Sequence, residues 1–128
     1  MRHTLRLSLA TSIVVLALCA FASAHHGSAG FDFSKLVTVT GTVTEFQFIN
    51  PHALIAMDVK NPATGKIENW ECELTSPSHL ARVGWTARTI KHGDGLTVTG
   101  AALKNGAPTM AIVTIMKNGQ QISIGAGK

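Results

Sequence analysis

The sequence predicts an all-β domain, a small barrel of five to six strands with one short helix, carried behind an export signal. Three observations point there. Over residues 37–59 apolar and polar side chains alternate as they do in half-buried strands. Pro, Gly and Asn-Gly turn signals break the remainder into short, evenly spaced segments. Only one stretch, at 77–83, carries the punctuation of a helix.

The chain opens with Arg2 and Arg6, an apolar run over 7–21 and then small residues, the layout of a secretory signal peptide. That run is too short to cross a bilayer core of about 30 Å, so no membrane attachment is expected after cleavage. Cys19 follows Leu18, whereas lipid attachment to a cysteine needs a small residue before it. Cleavage after Ala22-Ser23-Ala24 gives a signal peptide of 1–24 and a mature chain starting at His25; cleavage after Ala20-Phe21-Ala22 would start it at Ser23. The first cut leaves 104 of the 128 residues, enough for one domain. Losing Arg2 and Arg6 lowers the formal charge from +4 to +2, which demands neither a nucleic acid nor an anionic membrane. The mature chain keeps one cysteine, so an internal disulfide is impossible.

Residues 25–35 read as an irregular arm, tacked down by Phe31 and Phe33, with the barrel occupying 36–128. The first strand has Val37, Val39 and Val43 on one side and Thr38, Thr40, Thr42 and Thr44 on the other. After Thr44 the parity flips to Phe46 and Phe48, which marks a bulge or sharp bend, with Gly41 close by. Asn50-Pro51 turns the chain into a second strand through Ala53, Ile55, Met57 and Val59. A hairpin at 61–65 leads to a third strand at 66–74, whose Trp70, Cys72 and Leu74 share the apolar side. The helix has Ser76 as cap, Pro77 at its first position, Gly84 past its end, and Leu80 and Val83 spaced to face the core.

A fourth strand carries Leu96 and Val98 inward and Thr97 and Thr99 outward. Asn105-Gly106 and Asn118-Gly119 are hairpin signals around a fifth strand at 108–116, and a short last strand covers 121–124. Three strands, a helix, then two or three strands is the order of an oligonucleotide/oligosaccharide-binding (OB) barrel. Burial is expected for Trp70, Cys72, Leu74, Leu96 and Val98, and exposure for Thr38, Thr40, Thr97 and Thr99.

The most distinctive chemistry is the histidine pair at the processed terminus. Cleavage after Ala24 would give His25 a free amine beside its imidazole, a chelate that His26 or His52 could complete. Tetragonal nitrogen ligation suits Cu(II) or Ni(II), and copper leads the affinity order for such donors. The alternative cut puts His25 third from a free amine, again a copper-competent arrangement. His52 opens strand two on the face of Leu54 and Asp58, and the competing reading is a solvated turn histidine. His79 and His92 have no motif around them.

Cys72 reads as a buried, inert thiol, and Glu71 and Glu73 beside it as a polar outer face. No nucleophile elbow is present and Cys72 has no partnered base, so no catalytic residues and no enzymatic role are expected. A nucleic-acid partner is not expected either, since no dense basic stripe with interleaved aromatics occurs.

Several short motifs recur together: His25-His26-Gly27-Ser28, Val39-Thr40-Gly41-Thr42-Val43, Asn50-Pro51-His52-Ala53, Asn69-Trp70, Ser76-Pro77, Gly84-Trp85, Gly93-Asp94 and Val98-Thr99-Gly100. In combination they resemble an uncharacterised family of small exported bacterial proteins, a domain of unknown function. Its members start with His-His-Ser, where this chain inserts Gly27, and Gly95 loosens the Gly93-Asp94 turn. The resemblance implies a periplasmic OB-like barrel and supplies no activity or ligand. The residues favour a copper-binding protein using His25, His26 and His52. The alternative is a metal-free periplasmic module that binds a partner protein or small ligand.

Overall fold

The computed structural model describes residues 27–125; the expected export signal, its two candidate cleavage points, His25 and His26 lie outside them. After a single 3-10 turn at Ser28–Gly30, the chain forms β1 (Phe31–Gln47), β2 (Leu54–Lys60), β3 (Ile67–Glu73), α1 (Pro77–Ala81), β4 (Gly95–Leu103), β5 (Thr109–Lys117) and β6 (Gln120–Ile122). The sheet order is β3-β2-β1-β4-β5-β6, and β3 also pairs with β5. That last pairing is parallel, Glu71 to Thr109 through Glu73 to Ala111, and it joins the two sides of the sheet into a barrel.

β1 is the strand that makes closure possible. Its first part pairs with β4 and its last part with β2, and the register slips between Val43 and Glu45. The slip falls where the apolar parity flips, so Val43 and Phe46 both turn toward the core although they are three residues apart. Gly41 belongs to this bend for a steric reason: a Cβ there would run into the Asp58 carbonyl of β2. The same holds at Gly100 against the Ala111 carbonyl of β5.

The interior follows from strand alternation. Val43, Ile55, Met57, Cys72, Leu96, Val98, Met110 and Ile115 are buried, as are Ala53, Val59 and Leu74. Each large apolar side chain removed from water contributes about 1.5–3 kcal/mol. Leu80, Trp85 and Ile90 join this cluster from the connection between β3 and β4. Ser76 caps α1 by accepting from the His79 N–H, Pro77 takes the first helical position, and Gly84 follows with φ +93°. Trp85 stands edge-on to Phe46, and its Nε1 donates to the Ser123 carbonyl.

Five expectations need correction. The arm expected at 25–35 gives way to strand at Phe31, because Phe31 finds a cross-strand partner in Leu103. Phe31 is 6% exposed but Phe33 is 53% exposed, so only one ring is tacked down. Val83 is exposed, since α1 stops at Ala81 and the turn that follows breaks the helical spacing from Leu80. Trp70 is half-buried, with its Nε1 donating to Glu68 near the start of β3. Thr97 and Thr99 are half-buried rather than exposed, because β4 runs between β1 and β5 and their hydroxyls bond those of Thr40 and Thr38.

Candidate functional site

His52 lies in the connection between β1 and β2, one residue before the buried Ala53. Two backbone bonds tie that connection to the end of β3: Ala53 N–H donates to Thr75, and Leu74 N–H donates to Ala53. The β2–β3 register sets Leu54 opposite Glu73 on the outward face, beside the turn that carries His52. Glu73 and His52 meet, with His52 Nδ1 against Glu73 Oε1. Side-chain exposure is 54% for the imidazole and 29% for the carboxylate, so the ring is held on one edge and open to solvent on the other.

The surrounding face is acidic. By register, Glu45, Ala56 and Glu71 form one row across β1, β2 and β3, and Asp58 and Asn69 are neighbours in another. Asn69 donates to Asp58 at 2.5 Å. Glu45 and Glu71 are exposed. The outward positions of β2 and β3 hold Leu54, Ala56, Asp58, Lys60, Ile67, Asn69, Glu71 and Glu73, with no aromatic among them.

Of the sequence-predicted site residues, His52 is exposed on its turn, while His25 and His26 lie outside the described residues. Glu73 is the residue that sequence reasoning assigned only to a polar face. Among the described residues no group of three or more His, Cys, Asp or Glu side chains gathers for a metal. His79 is half-buried on α1 against Gly125, and His92 is exposed in the connection to β4. Cys72 is fully buried, 4.0 Å from the Met57 sulfur, and burial pushes its thiol up to about 12. A thiol so placed is protonated at neutral pH and chemically quiet. Asp94 accepts from Lys117 Nζ at 2.6 Å and from the Lys91 N–H; chiefly the Lys117 bond holds its carboxyl below the usual value, against the opposing effect of burial. The Asp94–Lys117 pair ties the β4 connection to the end of β5 and is structural.

Residues 13–111 match a family of unknown function, DUF6152. The chain belongs to that family. No curated protein sequence matches it. Among solved structures it is similar to Rim1, a mitochondrial single-stranded DNA binding protein of S. cerevisiae, with a TM-score of 0.50 and 9% identity over 66% of this chain and 93% of that one. A likeness at that identity is one of fold, and it makes this family member an OB-like all-β domain.

Proposed function

We propose that this protein is exported to the periplasm and binds Cu(II) without catalysing a reaction, using His25, His26 and His52. One observation carries the reading: the start of β1 and the His52 turn lie on one side of the barrel wall, three strand spacings apart. Phe31 pairs with Leu103 of β4, Ala101 of β4 with Ala111 of β5, and Ala111 with Glu73, which holds His52. Three strand spacings and two residues along β4 come to about 20 Å along the sheet. Six steps lead from Phe31 back to His25: four through the 3-10 turn at about 2 Å each and two at up to about 3.5 Å each, roughly 15 Å in all. The side chains of His25 and His52, with bonds of about 2 Å to a shared ion, would have to span the remaining distance across β4, β5 and β3.

The donor set suits the ion. An α-amine, one or two imidazoles at the terminus and the His52 ring make a nitrogen-rich set of the kind Cu(II) prefers. The acidic row of Glu45 and Glu71 beside Glu73 favours approach of a cation and disfavours phosphate. That charge also supports the absence of a nucleic-acid partner, because strands two and three form the OB surface on which oligonucleotides bind.

The test is Cu(II) titration of the chain cleaved to start at His25, beside His25→Ala, His26→Ala and His52→Ala. One tightly bound equivalent is expected for the parent chain. At least a tenfold loss is expected for His25→Ala and His52→Ala, the size of effect that loss of one metal-holding interaction produces. Equal, weak uptake by all four proteins would overturn the copper reading and leave a metal-free module that binds a periplasmic partner protein or small ligand.

A further inference from the structure

We infer that two copies of this protein pair through the free edge of β1, in an antiparallel seam centred on Thr38; this is independent of the copper reading. The register shows where the edge is free. β1 meets β4 without interruption from Leu36 to Thr42, but its pairing with β2 begins only at Gly41. Among the described residues, Leu36 to Thr40 therefore have a strand on one side alone. Val43 gives the direction of the backbone groups. Its N–H donates to the Asp94 carbonyl and its carbonyl accepts from the Gly93 N–H, both on the β4 side. Alternation then turns the backbone groups of Val37 and Val39 toward β4, and those of Leu36, Thr38 and Thr40 toward the open edge. The Thr38–Thr99 and Thr40–Thr97 hydroxyl contacts agree, since side chains approach most closely at pairs that exchange no backbone bonds.

Nothing in the stretch discourages a second strand. Unpaired edges are usually guarded by proline, inward charges or bulges, and Leu36-Val37-Thr38-Val39-Thr40 has none of these. Leu36 is 46% exposed, and Val37 and Val39 are half-buried against the core. The other open edges differ. β6 is three residues long, and the unpaired start of β3 carries Glu68 opposite the buried Val59, a charge on the inward face.

The ends of the free stretch select another β1 as its occupant. At one end, residues 32–35 leave the ladder in a register slip, where Asp32 accepts from the Ser34 N–H and hydroxyl. At the other, β2 occupies the edge from Gly41 onward. An antiparallel copy centred on Thr38 sets Thr38 against Thr38, Val37 against Val39 and Leu36 against Thr40. Lys35 of the partner subunit then falls opposite Gly41, so the incoming strand turns away where β2 begins. Moving the centre to Val39 drives each strand into β2, and moving it to Val37 sets Val39 against Lys35. Centred on Thr38, the seam continues the threonine row that already joins β1 to β4, and β-branched pairs of this kind stabilise cross-strand contacts.

The test uses the chain starting at His25 with a chelator present, so that no metal can bridge two copies. A seam this short lies at the low end of specific interfaces, so a reversible dimer is expected, half-formed on the order of 100 μM. Sedimentation equilibrium from about 10 μM to about 1 mM should show the mass rising from monomer toward dimer. Under mild oxidation Thr38→Cys should cross-link two copies, because directly opposed Cα atoms about 5.5 Å apart are within disulfide reach. Thr40→Cys, opposite Leu36 of the partner subunit, should not, and Cys72 is buried in both variants. Leu36→Lys with Thr40→Lys, and Leu36→Glu with Thr40→Glu, each set like charges against one another and should weaken self-association about tenfold. Mixed in equal amounts, the two charge variants should pair with each other. A parent chain that stays monomeric at about 1 mM would overturn the inference. So would Thr40→Cys cross-linking as readily as Thr38→Cys. Charge variants that dimerise as well as the parent, or a mixture that associates no better than either alone, would also overturn it.

Discussion

Cys72 and Asp94 are pushed in opposite directions by their surroundings, and each gives a test at the scale of one side chain. With burial lifting its thiol to about 12, Cys72 has almost no thiolate at neutral pH and no path to solvent. In the chain starting at His25, an aromatic disulfide reagent should modify it only as fast as the whole barrel unfolds, and quickly in urea. Fast native modification would mean that β3 opens locally. Asp94 works through charge. Its folded pKa lies below the ordinary 3.8, so its stabilising contribution is present above that value and is lost as pH falls through the folded pKa. Lys117→Met should cost on the order of 1 kcal/mol at neutral pH, the two side chains being 22% and 20% exposed. Urea unfolding at falling pH should show the gap between the two proteins closing below 3.8 as the carboxyl protonates. The burial of Cys72 was legible in the alternation Trp70-Glu71-Cys72-Glu73-Leu74. So was the outward face of His52 and Glu73. Their meeting was within reach of counting, since Lys60 opposite Ile67 across the hairpin leads by register to Leu54 opposite Glu73. The Asp94–Lys117 pair was not, because it joins turns whose approach depends on the finished barrel.

At the scale of elements, β1 carries the most specific demand. Its Gly41 faces the Asp58 carbonyl so closely that a methyl group would have to force β1 and β2 apart. Gly41→Ala should therefore cost about 1–3 kcal/mol, as overpacking of a tight contact does. Gly95 is the matched control. It lies in β4 with open space around its would-be Cβ, so Gly95→Ala should be neutral or stabilising by about 0.4–1 kcal/mol through the unfolded chain. Chemical denaturation of the two variants decides it, and equal costs would show that close approach is not what selects Gly41. The bulge was readable because the parity of apolar residues changes only if one residue drops out of register. The helix was readable from Ser76, Pro77 and Gly84, although its length was overestimated at Val83. The start of β1 was not readable. Residues 31–35 gain their strand conformation from pairing near Leu103, some seventy positions later in the chain, and no local pattern announces it.

For the whole molecule, the order of elements was legible and the seam was not. Closure rests on three parallel pairs between Glu71–Glu73 and Thr109–Ala111, and parallel partners are joined by no hairpin whose length would set their register. The closed shape is one that elsewhere binds single strands, so charge and side-chain type must decide whether this copy does. Binding a single strand needs cations along the backbone path and aromatic rings for the bases to stack on. The outward positions of β2 and β3 offer Asp58, Glu71 and Glu73, continued by Glu45 on β1, against Lys60 alone and no aromatic. The aromatic side chains nearest the His52 turn, Phe46 and Phe48, are half-buried and packed against the core. Labelled oligothymidylate at low salt, where phosphate contacts are strongest, should therefore show no anisotropy change with the chain starting at His25 up to about 100 μM, the weak edge of non-specific binding. The triple reversal Glu45→Lys, Glu71→Lys and Glu73→Lys should acquire weak binding that fades as salt rises, because cations would then line the strand path. Tight binding by the unmodified chain, with a steep salt dependence, would show that phosphate contacts lie on another surface and would overturn the argument from this face.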